Sequence, residues 1–262
     1  MLLRIKQRIV RSALRILVLV GIAVVAGSST PLPLWIQAVW CVQALVCMVI
    51  FQPDAARVRT IPHVIFLVVL SAGLCAWEAT YRIQPKINVA QDQTVYVIGD
   101  SISAGLSGKE KTWPDLLAQS TLLNIINLAQ PGATLASAMQ QVQDIKAPHA
   151  LVILEIGGND LLGGAKAADF RAQLDALLAK LATGGNGIVM FELPLLPFKN
   201  GIGEAQRSLA EKYHVELIPK RCMTDVIGRD GNTVDGLHLS PQGHKDLAEA
   251  VRGMLVIAPG KP

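Results

Sequence analysis

Hydrophobic and polar positions are distributed along this chain in two different ways. From Ile16 to Pro53 there is no Asp, Glu, Lys or Arg. That run is too long for a single bilayer span, and the turn-forming stretch Gly27-Ser28-Ser29-Thr30-Pro31-Leu32-Pro33 divides it. The pattern predicts one helix at about 10–27 and a second at about 33–51, each close to the roughly 20 residues that cross a bilayer core. Phe51 to Thr60 is polar and carries Arg57 and Arg59. Ile61 to Trp77 is a further uncharged run, closed by Glu78, which predicts a third span at about 61–79.

Beyond a polar connection from Arg82 to Gln93 the pattern changes to short apolar runs alternating with helical periodicities. The runs are Thr94–Ile98, Asn124–Leu128, Ala150–Ile156, Gly187–Glu192 and Val215–Ile218, most of them followed by glycine or proline. Between and after them the periodicity predicts helices at about 112–120, 134–144, 166–183, 203–213 and 241–255. Buried strands alternating with helices define an α/β domain whose parallel sheet is covered on both faces. Right-handed crossovers then give a doubly wound, three-layer αβα sandwich with a five-stranded sheet. The expected organisation is a membrane region over 1–87 and a catalytic or binding domain over 88–262. In an open sheet of this kind ligands bind beyond the carboxyl ends of the strands, where the strand order reverses.

Composition agrees with a membrane part: 51% of residues are hydrophobic and only 17% charged, with mean hydropathy +0.40. An average soluble domain is about a quarter charged. The net charge of +4 is concentrated at one end, so it is no argument for nucleic acid. Arg4, Lys6, Arg8, Arg11 and Arg15 precede the first span with no acid among them. Because Lys and Arg near span ends face the cytoplasm, this cluster and the Arg57/Arg59 loop place the N-terminus inside. Three spans then put the domain after Ala79 on the periplasmic or extracytoplasmic side of the inner (cell) membrane. Arg82 and Lys86 run against this rule but are outnumbered. The rival for the first span is a cleaved leader, for which Gly27-Ser28-Ser29 is a weak site. His63 near a span end reads as a hydrogen-bonded or solvated side chain rather than a proton relay. Cys41, Cys47 and Cys75 read as small packed hydrophobes. Cys222 is alone in the outer domain, which therefore holds no internal disulfide.

The residues that follow the strands carry the chemistry. Gly99-Asp100-Ser101 follows the first, Gly132 the second and Gly157-Gly158-Asn159-Asp160 the third, while Asp235-Gly236-Leu237-His238 precedes the last helix. A serine hydroxyl is a weak nucleophile until a base takes its proton, and His238 is the candidate base. Asp235, three residues earlier, can hold the other imidazole nitrogen across a short turn. A developing oxyanion needs donors already in place, and the backbone N–H groups of Ser101 and Gly132 with the Asn159 amide supply three. The expected site is thus a Ser101–His238–Asp235 triad with an oxyanion hole of Ser101, Gly132 and Asn159.

Taken together these blocks resemble the SGNH (GDSL-type) hydrolase family, whose four signature residues would here be Ser101, Gly132, Asn159 and His238. The resemblance runs from Thr94 to about Leu255, and Trp113 shortly after the serine resembles the thioesterase/lysophospholipase-like (arylesterase) branch. The chain departs from many relatives where Leu239 rather than Pro follows the histidine. The resemblance implies a flavodoxin-like fold and a serine hydrolase that cleaves carboxylic esters or thioesters through an acyl-enzyme, and the N-terminal apolar runs would make it membrane-anchored. No cofactor and no metal are required, since His-x-x-x-His and Cys-rich spacings are absent. Acyl lipids and O-acetylated envelope glycans are the candidate substrates, and short loops predict a shallow pocket. Two further readings stay open: an O-acyltransferase using the same triad on envelope glycan, and a binding module without activity. In the bland reading Ser101 is merely a helix cap, and Asp100 and Asp160 serve a turn and a loop or cap. His149, His214 and His244 read as solvated. Gly157-Gly158, without a following Lys-Ser/Thr, is a weak phosphate cradle.

Overall fold

A computed structural model describes residues 18–23, 30–50, 57–108 and 110–259, together with Ser12, Ile16 and Val25. The chain divides into two compact units. One ends at Thr80 and also takes in Leu196–Gly201; the other runs from Tyr81 to Leu195 and resumes at Ile202.

The first unit contains helices α1 (Leu34–Ile50) and α2 (Arg57–Thr80). Half of the expected span at about 10–27 lies outside the described residues. Among those described, one stretch, Pro62–Thr80, is long and apolar enough to cross a membrane by length and composition; the apolar stretch of α1, Leu34–Val49, is shorter. Two side-chain hydrogen bonds join these two helices. Trp40 Nε1–H donates to Ser71 Oγ at 2.9 Å, and the Gln43 amide donates to His63 Nδ1 at 2.9 Å. His63 is therefore hydrogen-bonded. In an apolar medium such pairs replace the water these groups lack and hold helices together. Cys47 is buried as expected, whereas Cys75 is exposed rather than packed.

The second unit is built on five parallel strands: β2 (Val95–Gly99), β3 (Ile125–Asn127), β4 (Leu151–Glu155), β5 (Gly187–Phe191) and β6 (Glu216–Ile218). Their spatial order is β3-β2-β4-β5-β6, so chain direction across the sheet reverses between β2 and β4. Strand side chains alternate between two cores. Tyr96, Ile98, Val152 and Leu154 pack with α5 (Leu135–Gln141), α7 (Ala167–Thr183) and α8 (Asn200–Tyr213) on one face. Val95, Val97, Leu151 and Ile153 pack with α4 (Trp113–Thr121), α9 (Lys220–Ile227) and α10 (Pro241–Arg252) on the other. Burial on both faces is why β2 and β4 are apolar at almost every position.

The structure also departs from the sequence expectations. The segment read as a polar connection contains β1 (Ile87–Ala90), which pairs in parallel with β7 (Leu255–Ala258) in a separate two-stranded sheet. The last helix therefore ends at Arg252, not at 255, and Gly253 and Met254 turn the chain into β7. The helix expected from 203 starts at Asn200. Two short helices begin in the motif blocks themselves, α3 (Ser101–Ala104) and α6 (Gly158–Leu162).

Candidate active site

The reversal point between β2 and β4 is assembled from backbone that comes unusually close. A Cβ on Gly99 would stand 2.8 Å from both the Glu155 carbonyl oxygen and Ser103 Oγ, so only glycine allows the two strand ends to meet there. The Gln141 side chain closes the end of β2 by bonding both the N–H of Gly99, at 3.1 Å, and its carbonyl, at 3.0 Å. The chain then turns sharply through Asp100 into α3, whose first residue is Ser101. Asp100 Oδ1 accepts the Ile102 N–H at 3.0 Å, satisfying one of the unpaired donors of that helix end.

Asn159 stands across from it, in the first turn of α6. Its amide Nδ2 donates to the Ala133 carbonyl at 2.9 Å and to Asp100 Oδ2 at 3.2 Å. One side chain thus joins the blocks after β2, β3 and β4. Of the two expected roles for Asp160, loop or cap, the structure gives the cap: it is buried, and its Oδ2 accepts the Leu135 N–H at 3.0 Å at the start of α5. Gly132, whose N–H is the expected third donor, has φ +74° and open space where a Cβ would go. Its need for glycine is therefore conformational and not a matter of crowding.

The last block forms a compact loop. Thr233 and Leu239 bridge in antiparallel fashion, and the Val234 N–H donates to the His238 carbonyl at 2.9 Å. Asp235 Oδ1 accepts the N–H groups of Leu237 at 3.0 Å and His238 at 2.8 Å. Its Oδ2 lies 2.6 Å from His238 Nδ1. A carboxylate can only accept, so Nδ1 carries a proton, and in the neutral ring it is Nε2 that holds the lone pair. The imidazole hydrogen bond, reinforced by those two N–H groups, holds the Asp235 carboxyl down at about 2.

A cleft opens beside these groups. Ser101 and Asn159 line it together with apolar side chains, among them Leu162, Phe191, Leu193, Met223 and Leu237. Ser101, Asn159 and His238 are half-buried, whereas Gly132 and Asp235 are exposed. Gly132 is not among the lining residues and is tied to the cleft through Ala133.

Beneath the serine lies a buried acid network that the sequence reading did not single out. Trp113 Nε1–H donates to Ser103 Oγ at 3.1 Å, and that hydroxyl donates to Glu155 Oε2 at 2.9 Å. Burial first, then the neighbouring Asp100 charge, pushes the Glu155 carboxyl well above its ordinary range. Burial also raises Asp100, partly offset by the Ile102 N–H, the Glu155 hydrogen bond and the nearby His238 charge. A second acid, Glu192, also lines the cleft and forms a buried ion pair with Arg207 at 2.7 Å. The only sequence signal for either was an isolated acid at the end of an apolar strand.

His244 corrects another expectation. It is not solvated but 1% exposed, and its Nδ1 accepts the Trp113 N–H at 3.2 Å. Burial lowers its pKa, opposed by the charges of Glu110 and Asp115. His149 and His214 are exposed, as read. Among the described residues no three His, Cys, Asp or Glu side chains converge as a metal site requires.

A doubly wound parallel sheet with a serine at its reversal point, and a carboxylate-held histidine in a loop at the same cleft, describes a serine hydrolase by class. The chain belongs to the GDSL-like lipase/acylhydrolase family, whose profile matches residues 97–245, more than half its length. It is 27% identical over 177 residues to an arylesterase of Vibrio mimicus, covering 63% of this chain and 88% of that protein. It is 30% identical over 116 residues to esterase TesA of Pseudomonas aeruginosa, covering 41% of this chain and 58% of that protein. A crystal structure of TesA superposes with a TM-score of 0.55 at 26% identity, over 62% of this chain and 97% of that one. The psychrotrophic esterase EstA from Pseudoalteromonas shares the fold with a TM-score of 0.55 at 22% identity, over 62% and 96% of the two chains. The protein is an esterase-type hydrolase of this family.

Proposed function

We propose that the protein is a membrane-anchored serine esterase that hydrolyses acyl esters or thioesters through a covalent acyl-enzyme. The observation that carries this reading is the 2.6 Å contact from Asp235 to His238 Nδ1, in a loop whose Leu237 lines the same cleft as Ser101. With Nδ1–H held by Asp235, His238 Nε2 takes the Ser101 proton as Oγ attacks the substrate carbonyl carbon. The tetrahedral oxyanion is met by the N–H groups of Ser101 and Gly132, and by the Asn159 amide once one of its two N–H groups turns from Asp100 or Ala133. Imidazolium returns its proton to the leaving alcohol or thiol, and the C–O or C–S bond breaks to leave acyl-Ser101. His238 then deprotonates water, which attacks the acyl carbon and releases the acid and the free serine.

The mostly apolar lining of the cleft supports an acyl lipid over an O-acetylated glycan as substrate. It offers few of the hydrogen-bonding groups a sugar acceptor needs, so hydrolysis is preferred to acyl transfer. The uncharged run from Ile16 to Pro53 and the Pro62–Thr80 stretch support a multi-pass anchor in the inner membrane. The basic residues before the first run and between the second and third support a cytoplasmic N-terminus and an extracytoplasmic active site. A Ser101→Ala protein, purified in detergent, should lose p-nitrophenyl butyrate hydrolysis by at least about a thousandfold. Turnover at the wild-type rate would remove the mechanism.

A further inference from the structure

Gln141, the last residue of α5, lies outside the four motif blocks, yet it is 1% exposed and spends both ends of its amide on one residue. Oε1 accepts the Gly99 N–H at 3.1 Å, and Nε2 donates to the Gly99 carbonyl at 3.0 Å. The register of the sheet explains why. Pairing of β2 with β3 ends at Val97 opposite Asn127, two residues before Gly99. Along this edge the Val95 N–H donates to the Asn124 carbonyl at 2.9 Å, and the Leu128 N–H to the Val97 carbonyl at 2.8 Å. At Gly99 the Gln141 amide takes the place of strand backbone, because it carries the same donor and acceptor as a peptide group. The other end of α5 is fixed as well: Gly132 lies three residues before its start, and Asp160 Oδ2 holds its Leu135 N–H at 3.0 Å.

We infer that Gln141 is a positioning residue for catalysis: through Gly99 it ties the turn that carries Ser101 to the helix that follows Gly132. The inference rests on the reading above that Ser101 is the nucleophile and Gly132 an oxyanion donor. Those two groups must meet the carbon and the oxygen of one carbonyl, but they stand on loops after different strands. A misplacement of about 1 Å between such groups costs about a hundredfold in rate. With Gln141 in place, α5 acts as a strut between the two loops, one end at the Gly132 block and the other on the backbone two residues before Ser101. Without the amide, the Gly99 N–H is buried with no acceptor, and the turn has to shift to find one.

The test uses the full-length protein in detergent, with p-nitrophenyl butyrate kinetics and a melting curve for every variant. Gln141→Met keeps the length of the side chain and deletes both hydrogen bonds. Well below its melting temperature it is expected to lower kcat about ten- to a hundredfold with KM within about twofold, the pattern of an interaction used in the transition state. Gln141→Glu separates geometry from packing. A protonated carboxyl can accept the Gly99 N–H and donate to its carbonyl, as the amide does, whereas an ionised one cannot donate and repels that carbonyl. The ratio of variant to wild-type kcat should therefore be within about twofold of one near pH 5.5 and fall about tenfold by about pH 8.5, with the variant folded at both. Taking the ratio removes any titration that the two proteins share. The inference is overturned if Gln141→Met keeps kcat within about twofold of wild type and loses only melting temperature. Where that variant does not fold, a Gln141→Glu ratio that does not change with pH overturns it. Both outcomes differ from failure of the hydrolase reading, in which Ser101→Ala would itself remain active.

Discussion

At the scale of single residues the site turns on how few atoms hold the imidazole. Asp235 is exposed, yet it accepts three hydrogen bonds from its own loop, two from backbone and one from His238. An exposed carboxylate contributes little through its charge, because water screens it. Its value lies in selecting the tautomer with Nε2 unprotonated. Asp235→Asn should therefore keep the loop, since an amide oxygen still accepts the backbone N–H groups. It should nevertheless lower kcat by about a hundredfold or more, because the amide N–H now faces Nδ1 and favours the wrong tautomer. Steady-state kinetics with a melting curve would check this: an unchanged kcat would mean that another group orients His238. Ser101 and Asn159 were legible as candidates because each sits in a short motif after a predicted strand, and Asp235 and His238 because theirs precedes the last helix. Asp100, Glu155 and His244 were not legible in their observed roles, which depend on neighbours 59, 52 and 131 positions away.

At the scale of elements, β2 to β6 could be read from the sequence because strands covered on both faces appear as short apolar runs. The β1–β7 pair could not, since β1 alternates buried and exposed positions and β7 is largely exposed, leaving four-residue segments without a distinctive pattern. The helix packing depends on a group equally hidden from sequence inspection. His244, in the first turns of α10, ties that helix to the start of α4 by accepting the Trp113 N–H. The interaction requires neutral imidazole, and burial lowers the His244 pKa in the folded protein from an unfolded value of about 6.5. Between those two values the unfolded chain binds more protons than the folded one. The stabilisation is therefore complete above about pH 6.5 and is lost as pH falls through the folded pKa. Glu155 has the opposite slope, because its raised pKa makes the folded state retain a proton that the unfolded chain releases. Comparing wild type with His244→Gln isolates the histidine. The melting-temperature advantage of wild type should shrink between pH 7.5 and 5, and an advantage independent of pH would show that His244 does not titrate with unfolding.

For the whole molecule, the proposed function requires that the N-terminal apolar helices cross a membrane with the topology the basic residues suggest. Alkaline phosphatase fused after Pro262 should be active and a green fluorescent protein fused there dark, because only the first folds outside the cytoplasm and only the second inside. The reverse pattern would place the active site in the cytoplasm and remove envelope and outer-leaflet substrates. The α/β class of the hydrolase unit was readable from hydrophobic periodicity, whereas the proposed orientation rests on loop charge, to which the folded domain contributes nothing.

The central claim is that Ser101 is a nucleophile activated within the folded protein. The most direct measurement is reaction of the detergent-solubilised wild type with a fluorophosphonate probe, followed by intact mass and peptide mapping. One adduct per chain, on the peptide that contains Ser101 and absent from Ser101→Ala, is the predicted result. Continued ester hydrolysis by a protein that takes up no probe, or takes it up at another residue, would contradict the account.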